Sequence, residues 1–515
     1  MTLLRGVTLI VAVIGGGTLI ASADEDPLPK GARARWSSPG LASAGPVGAI
    51  AISADGKRGA SGSKDGTVRL WAADSGKEQR ALASHEGEVK AVIFSPDGKW
   101  IASAGADKLI RLSEATSGKI QRVFRGHGDS IEALAFTPDG ATLISAGQDE
   151  SIILWDARTG QMTQRLMHHR RGVRCLAVTR DGKTFASGGE DRTIYLWDLP
   201  GCQEQRFFRR PGWVFALAFS GDGRSMASGG LDQTVHLHKL EANSGYDNMG
   251  GYERPVRSLV LSRDGKAVAA GNEDGRIRLW EVISRKVRRE FAGHAGGVRA
   301  IALFPDETRL LSGGDDGKIL VWELAGAAVA KPRATLEPAA QEKEWQAAWD
   351  ALGGGAEESY HAMEQFRADP DSWLKFLDAR LEPLFTMKQR LTALLLELES
   401  EKFNVRQRVS EEMEKLGELT IPFLEEKLQE QLTLETKRRI ERVITRVTPT
   451  DPEAPSMFLR LWRTIEILEA LATPSARATL LRMSRETPDA RIRREAEAAL
   501  ARFNGLSGKM NNYLK

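Results

Sequence analysis

Residues 126–156 read GHGDSIEALAFTPDGATLISAGQDESIILWD, and the β-strand pattern of the chain is clearest in this stretch. It contains an apolar strand at 131–136, a Thr-Pro-Asp-Gly turn, a second strand, a turn at Asp149 and a third strand that reaches Trp155. Short alternating strands joined by Asp-Gly turns predict an antiparallel meander. A single meander of this size cannot bury both of its faces, so it must pack against neighbours of the same kind.

The same unit recurs seven times along the chain. Its turn aspartates follow one another at intervals of 41 or 42 residues, at Asp65, Asp107, Asp149, Asp191, Asp232, Asp274 and Asp316. The end of the third strand keeps step with them, at Trp71, Ser113, Trp155, Trp197, His238, Trp280 and Trp322. Seven units in phase predict seven packed sheets, and a closed ring of sheets leaves no open end.

This repeat resembles that of the WD40 family over roughly residues 36–325. The resemblance implies a seven-bladed β-propeller, although Ser113 and His238 stand where the family has tryptophan. Two segments can supply the outer strand that closes the ring, one upstream at 34–37 and one downstream at 327–335. We favour the upstream strand, because closure by a strand distant in sequence resembles the family pattern.

Four of the repeats contain serine, histidine and aspartate, the side chains of a nucleophilic triad. In each of them the histidine precedes the turn aspartate by 22 residues. The sets are His85, Ser103 and Asp107; His127, Ser145, Asp149 and Trp155; His169, Ser187, Asp191 and Trp197; and His294, Ser312, Asp316 and Trp322. One active site does not need four copies. The resemblance instead implies that each set forms a buried hydrogen-bond chain, and we predict a structural role.

One loop position differs from its equivalents in the other repeats. Trp213 stands just before the first strand of the fifth repeat, where the others have mostly small or polar residues. Arg170, Arg171 and Glu190 belong to the adjoining loops. We interpret these four residues as a candidate partner-binding patch, because Trp and Arg are enriched at the energetic centres of interfaces. The alternative is that Trp213 fills a gap in the irregular fifth repeat.

A second candidate surface follows from the residues near the mouth of the central channel. Basic side chains occupy the second position of four innermost strands, at Lys90, Arg174, Arg257 and Arg299. Such a cluster could bind an acidic segment or an anion. The alternative is that these charges only solvate the rim.

The composition excludes several classes of partner and site. The 515 residues include 72 Lys and Arg against 69 Asp and Glu, a net charge of +3, which argues against a general nucleic-acid binder. Cys175 and Cys202 are too few for a disulfide scaffold or a four-ligand zinc site, and we expect no bond between them. We predict no cofactor, no metal ion and no small-molecule substrate.

The N-terminus has the layout of a secretory signal. Arg5 precedes an apolar run at 7–20, and Ala21-Ser22-Ala23 matches a cleavage site. We therefore predict a signal peptide at 1–23, a linker at 24–35 and a mature protein in the periplasm, cell envelope or medium. The alternative is an uncleaved N-terminal anchor.

The C-terminal third has helical periodicity. We predict a linker at 326–338, an α-helical domain at 339–504 and a tail at 505–515. Helix pairs at about 395–504 resemble HEAT-type repeats, and the alternative is an irregular helical bundle. The whole arrangement is similar to that of exported bacterial WD40 proteins with a helical C-terminal domain.

No stretch of the sequence combines the residues of a catalytic site. We therefore predict a non-enzymatic protein-interaction scaffold, with the propeller rims and the helical region as its two surfaces. The alternatives are a propeller enzyme such as a metal-dependent hydrolase, and a carbohydrate- or cell-wall-binding module.

Overall fold

The computed structural model describes residues 27–38, 41, 44–240, 246–324, 338–448 and 456–513. The predicted signal peptide and the downstream candidate for ring closure, 327–335, lie outside these residues.

Seven four-stranded antiparallel sheets form the blades of a β-propeller. Blade 1 consists of β2 Val47–Ile52, β3 Arg58–Ser63, β4 Thr67–Ala72 and β5 Glu78–Ser84. Blade 2 consists of β6 Val89–Phe94, β7 Trp100–Gly105, β8 Leu109–Glu114 and β9 Ile120–Arg125. Blade 3 consists of β10 Ile131–Phe136, β11 Thr142–Gly147, β12 Ile152–Asp156 and β13 Met162–Leu166. Blades 4 and 5 consist of β14 Val173–Val178, β15 Thr184–Gly189, β16 Thr193–Asp198 and β17 Glu204–Arg209; and β18 Val214–Phe219, β19 Ser225–Gly230, β20 Val235–Lys239 and β21 Tyr246–Met249. Blades 6 and 7 consist of β22 Val256–Leu261, β23 Ala267–Asn272, β24 Arg276–Glu281 and β25 Lys286–Ala292; and β26 Val298–Leu303, β27 Arg309–Gly314, β28 Ile319–Glu323 and β1 Ala32–Trp36.

The upstream segment closes the ring. Strand β1 pairs antiparallel with β28 and becomes the outermost strand of blade 7, with Trp36 opposite Ile319. It begins at Ala32, so the last four residues of the predicted linker 24–35 belong to the propeller. The Trp36 ring stacks on Trp71 of blade 1 at a centroid distance of 5.9 Å, which joins the first blade to the last.

Neighbouring blades pack through a small residue on one blade and a branched residue on the next. A Cβ atom added to Gly313 of β27 would lie 2.7 Å from Cγ1 of Val47 on blade 1. Such a distance is too short for any side chain, so glycine at this position allows the two blades to approach closely. The seven inner strands thereby form a continuous core around the ring.

The propeller has two faces that differ in their connections. The loops before each innermost strand and the turns after each second strand form one face, which we call the rim face. The turns after each innermost strand form the opposite face, which we call the underside. The turn aspartates belong to the rim face, and the Pro-Asp-Gly turns belong to the underside.

The C-terminal region is helical. Its helices are α1 Pro338–Ala351, α2 Ala356–Ala368, α3 Pro370–Leu398, α4 Phe403–Lys415, α5 Ile421–Leu428, α6 Leu434–Val447, α7 Met457–Leu471, α8 Pro474–Glu486 and α9 Ala490–Tyr513. Helix α9 continues into the predicted tail as far as Tyr513, because Gly505 and Gly508 weaken a helix without blocking it as proline does.

The helices form two lobes around the long helix α3. The inner lobe packs α1, α2, α7, α8, α9 and the first half of α3 around a core that includes Trp373 and Ile465. The outer lobe packs α4, α5, α6 and the second half of α3 around Val409 and Ile440. In the described part of the chain, no helix is long and apolar enough to cross a membrane.

The inner lobe is docked on blade 6 through buried ion pairs, which we call the docking cluster. Arg463 of α7 donates to both carboxylate oxygens of Glu281 at 2.8 and 2.5 Å, and both side chains are essentially inaccessible. Arg288 of β25 joins Glu281 to Glu466, at 2.9 and 2.7 Å. Lys266, on the underside, contacts Glu469 and Glu495 at 3.3 and 2.9 Å. The propeller therefore covers part of the helical region that we predicted as a second interaction surface.

Candidate functional site

The repeated His-Ser-Asp sets form hydrogen-bond chains inside the blades. In blade 3, Nδ1 of His127 lies 3.0 Å from Asp149 and Nε2 lies 2.7 Å from Oγ of Ser145. Nε1 of Trp155 donates to the same Oγ at 2.8 Å. Blades 4 and 7 repeat this arrangement with distances of 2.7 to 2.9 Å, through His169, Ser187, Asp191 and Trp197, and through His294, Ser312, Asp316 and Trp322. Blade 2 has the same chain without tryptophan, through His85, Ser103 and Asp107.

These hydrogen-bond chains connect parts of a blade, and their serine does not serve as a nucleophile. The Ser145 hydroxyl is fully buried and already accepts from Trp155, so no substrate can reach it. Burial raises the pKa of Asp149, but hydrogen bonds from His127 and from the Gly128 amide outweigh it and hold the pKa well below its usual range. The carboxylate therefore stays ionised and ties the loop before β10 to the turn after β11.

Two blades have another residue in the place of the histidine, and neither residue was predicted from the sequence. In blade 5, Arg210 contacts the turn aspartate Asp232 at 3.2 Å. In blade 6, the Tyr252 hydroxyl accepts directly from Nε1 of Trp280 at 2.7 Å, because Ala270 stands where the other blades have serine. The signal was present in the spacing, since both residues precede their turn aspartate by 22 positions.

We expect His127→Ala to lower the free energy of unfolding by about 1–3 kcal/mol, because it leaves buried polar groups without partners. His361→Ala is the control, since His361 is exposed on α2. Urea unfolding of both variants and the parent measures the difference. Equal midpoints and slopes for His127→Ala and the parent would contradict a structural role.

The four basic residues predicted near the channel mouth do not form a free anion site. Each of them lies against one or two carboxylates of the propeller. The pairs are Lys90 with Glu88, Arg174 with Glu132 and Glu190, Arg257 with Glu273, and Arg299 with Glu88 and Asp315. These pairs favour the alternative that the four charges solvate the rim, and anion binding by them stays a prediction.

The residues predicted as a partner-binding patch come together between blades 4 and 5. Arg170, Arg171, Glu190 and Trp213 line one open cavity of about 370 Å³ on the rim face. The cavity is completed by Asp191, Arg192, Pro211, Gly212 and Leu231. We call this cavity the rim pocket. Arg192 and Leu231 were not part of the predicted patch, although both flank the turn aspartates that set the register.

Trp213 is held in place from the backbone and from one side of its ring. Its carbonyl oxygen accepts from the Leu231 amide at 2.9 Å. Its ring meets Phe215 edge to face at 6.2 Å, and Arg257 covers the Phe215 ring from above at 4.4 Å. The Trp213 side chain is half-buried, so it both packs against blade 5 and presents apolar surface to the rim pocket.

A larger cavity of about 560 Å³ lies where blades 6 and 7 meet α2 and α7. Its wall includes Lys266, Arg288, Glu466 and Glu469, which are paired with one another in the docking cluster. We therefore assign this cavity to the junction of the two domains.

A scan against protein-family models matches the WD domain, G-beta repeat, seven times. The matches cover residues 41–72, 76–112, 118–156, 160–198, 202–239, 247–281 and 285–323, about half of the chain. The chain belongs to the WD40 family. The matches follow the seven repeats. The last of them ends at residue 323, before the helical region. A search of curated proteins finds no significant match.

WD40 propellers generally bind protein partners and are generally non-catalytic. Among the described residues, no three His, Cys, Asp or Glu side chains are grouped so that they could hold a metal ion. Cys175 and Cys202 are both buried and unbonded to each other. Burial raises the pKa of the Cys175 thiol, which makes it a poor nucleophile.

Proposed function

We propose that this WD40 protein is a non-enzymatic scaffold that binds a protein partner at the rim pocket. The observation behind the proposal is the combination of a half-buried tryptophan, an exposed leucine and three exposed arginines around one cavity. Aromatic and arginine side chains dominate the energetics of protein interfaces. The outer lobe, which does not take part in the docking cluster, would provide a second surface.

We also propose that the protein is exported, on the strength of the signal-like residues 1–23. Cleavage after Ala23 would produce a mature chain that begins at Asp24. N-terminal sequencing of the secreted or periplasmic protein tests this. A chain that retains Met1 in the membrane fraction would favour the anchor, and one that retains Met1 in the cytoplasm would contradict both.

Trp213→Ala is expected to weaken partner binding by about 2 kcal/mol or more, the usual range for an interface hot spot. The matched control is Trp100→Ala, because Trp100 is also half-buried but begins a strand on the underside. Affinity purification with the parent and both variants, followed by titration of the purified partner, measures the loss. Arg170→Ala and Arg171→Ala should act mainly on the association rate and its salt dependence.

Thermal melts separate a contact role from a packing role for Trp213. A contact role predicts a nearly normal melt with lost binding. A destabilised Trp213→Ala variant that still binds the partner normally would contradict the proposal and would make Trp213 a packing residue of blade 5.

A further inference from the structure

The charges in the rim pocket do not balance, because its acidic residues are already committed to other groups. Asp191 lies 2.9 Å from Nδ1 of His169 and accepts from the Arg170 amide at 3.2 Å. Glu190 contacts Arg174 at 2.6 Å. Both carboxylates are thus oriented toward these groups, and neither forms an ion pair with a guanidinium group of the pocket.

The three arginines of the pocket are in the opposite situation. Arg170, Arg171 and Arg192 are exposed, and within the described ranges no carboxylate lies within ion-pairing distance of their guanidinium groups. The other three blades with a histidine lack this concentration of positive charge at the equivalent positions. The two residues after the histidine and the one after the turn aspartate are Glu86, Gly87 and Lys108 in blade 2; Gly128, Asp129 and Glu150 in blade 3; and Ala295, Gly296 and Gly317 in blade 7.

Two large apolar side chains belong to the lining of the rim pocket. They are Trp213 and Leu231, which is 44% exposed, and Gly212 lines the pocket with them. A Cβ atom at Gly212 would lie 2.7 Å from the Asp232 amide and 3.1 Å from Cβ of Leu231, so a side chain there would displace the neighbouring backbone. At about 370 Å³ the pocket is near the small end of ligand sites, which suits one or two inserted side chains.

We propose that the rim pocket binds an extended acidic peptide segment through its carboxylates and one apolar side chain. The apolar side chain would rest on Trp213 and Leu231, and flanking carboxylates would pair with Arg170, Arg171 and Arg192. This inference rests on the proposed function and specifies the chemistry of the partner.

A peptide fits the surroundings of the pocket better than a nucleic acid does. The basic side chains at the channel mouth beside the pocket are Lys90, Arg174, Arg257 and Arg299, and each of them already contacts a carboxylate. A nucleic acid carries a negative charge at every nucleotide, so beyond the three arginines its phosphates would meet only basic groups that are already paired. A short peptide can confine its charge to the residues that face them.

The test uses the full chain and a fluorescein-labelled peptide with the core Asp-Asp-Leu-Asp-Glu. Fluorescence anisotropy should show binding that weakens at least tenfold when Leu is changed to Ser, or when NaCl rises from about 50 to 300 mM. Arg170→Glu/Arg171→Glu should lose the acidic peptide and gain a peptide with the core Lys-Lys-Leu-Lys-Lys. This exchange of preference would support the pairing directly, because simple unfolding cannot produce it.

Three results would overturn the inference. They are no binding of the acidic peptide to the parent, equal binding of a peptide with Asn and Gln in place of Asp and Glu, and tighter binding of a single-stranded DNA ten-mer. A failure of this inference can be told apart from a failure of the proposed function. If the partner depends on Trp213 but the acidic peptide does not compete with it, the scaffold proposal stands and the acidic-segment inference falls.

Discussion

Arg463→Met should lower the free energy of unfolding by about 3–5 kcal/mol, the cost of leaving one member of a buried ion pair without its partner. Arg463 is completely buried, and its removal leaves the buried Glu281 carboxylate with only Arg288, which it shares with Glu466, as a charged partner. The substitution also removes the bonds from Arg463 to the carbonyl oxygens of Leu352 and Gly354, which hold the turn between α1 and α2. Urea unfolding of the full chain measures the loss.

The pKa of Glu281 supports the size of this effect. Burial raises that pKa, but the hydrogen bond from Arg463 and the charge of Arg288 outweigh burial and hold it at about 2. A folded-state pKa below the ordinary 4.5 means that the group stabilises the fold above pH 4.5 and loses this contribution as the pH falls towards 2. The difference corresponds to about 3 kcal/mol. Arg463→Met should therefore also flatten the pH dependence of stability in this window.

Two further variants make the experiment specific to the docking cluster. Arg408→Met removes the same kind of pair on the surface of α4, where Arg408 is 60% exposed beside Glu397, and should cost less than about 1 kcal/mol. Arg463→Met/Glu281→Met removes both buried charges and should cost less than Arg463→Met alone. An Arg463→Met variant no less stable than Arg408→Met would contradict a buried pair between the domains.

The propeller was predictable because every blade repeats the same local signals. Turn aspartates such as Asp149 fall at fixed intervals, and each interval fits one sheet, so the register of the strands follows from the sequence. The loop positions follow from the same register. That is why Arg170, Arg171, Glu190 and Trp213 could be placed around one cavity before the fold was known.

The charges were harder to predict, because the sequence does not show which side chains meet across blades. Arg174 was interpreted as one of four basic residues that could bind an anion or solvate the rim, and its contact at 2.9 Å with Glu132 on the preceding blade was not predicted. The docking cluster was missed for the same reason. Glu281 and Arg463 are separated by 182 positions, and Arg463 lies outside the repeats. Repeats predict contacts within their own period, whereas the contact between the two domains occurs once.

Trp36→Ala is expected to destabilise the propeller by about 3–5 kcal/mol, the range for removing a large aromatic side chain from a core. Trp36 is fully buried on the strand that closes the ring, and it packs on Trp71 and on the glycines of blade 1. A Cβ atom at Gly59 would lie 2.2 Å from the Trp36 ring, so blade 1 is shaped around this side chain.

Arg33→Ala on the same strand is the matched control. Its side chain is 57% exposed and forms only a surface pair with Glu323 at 3.5 Å, so its loss should cost less than about 1 kcal/mol. Thermal melts of the two variants and the parent test whether β1 is the closing strand in solution. If a downstream segment closed the ring instead, Trp36→Ala would have the same melting temperature as Arg33→Ala and the parent. Loss of stability confined to Trp36→Ala ties the closure to a residue nearly 300 positions away from the blade it completes.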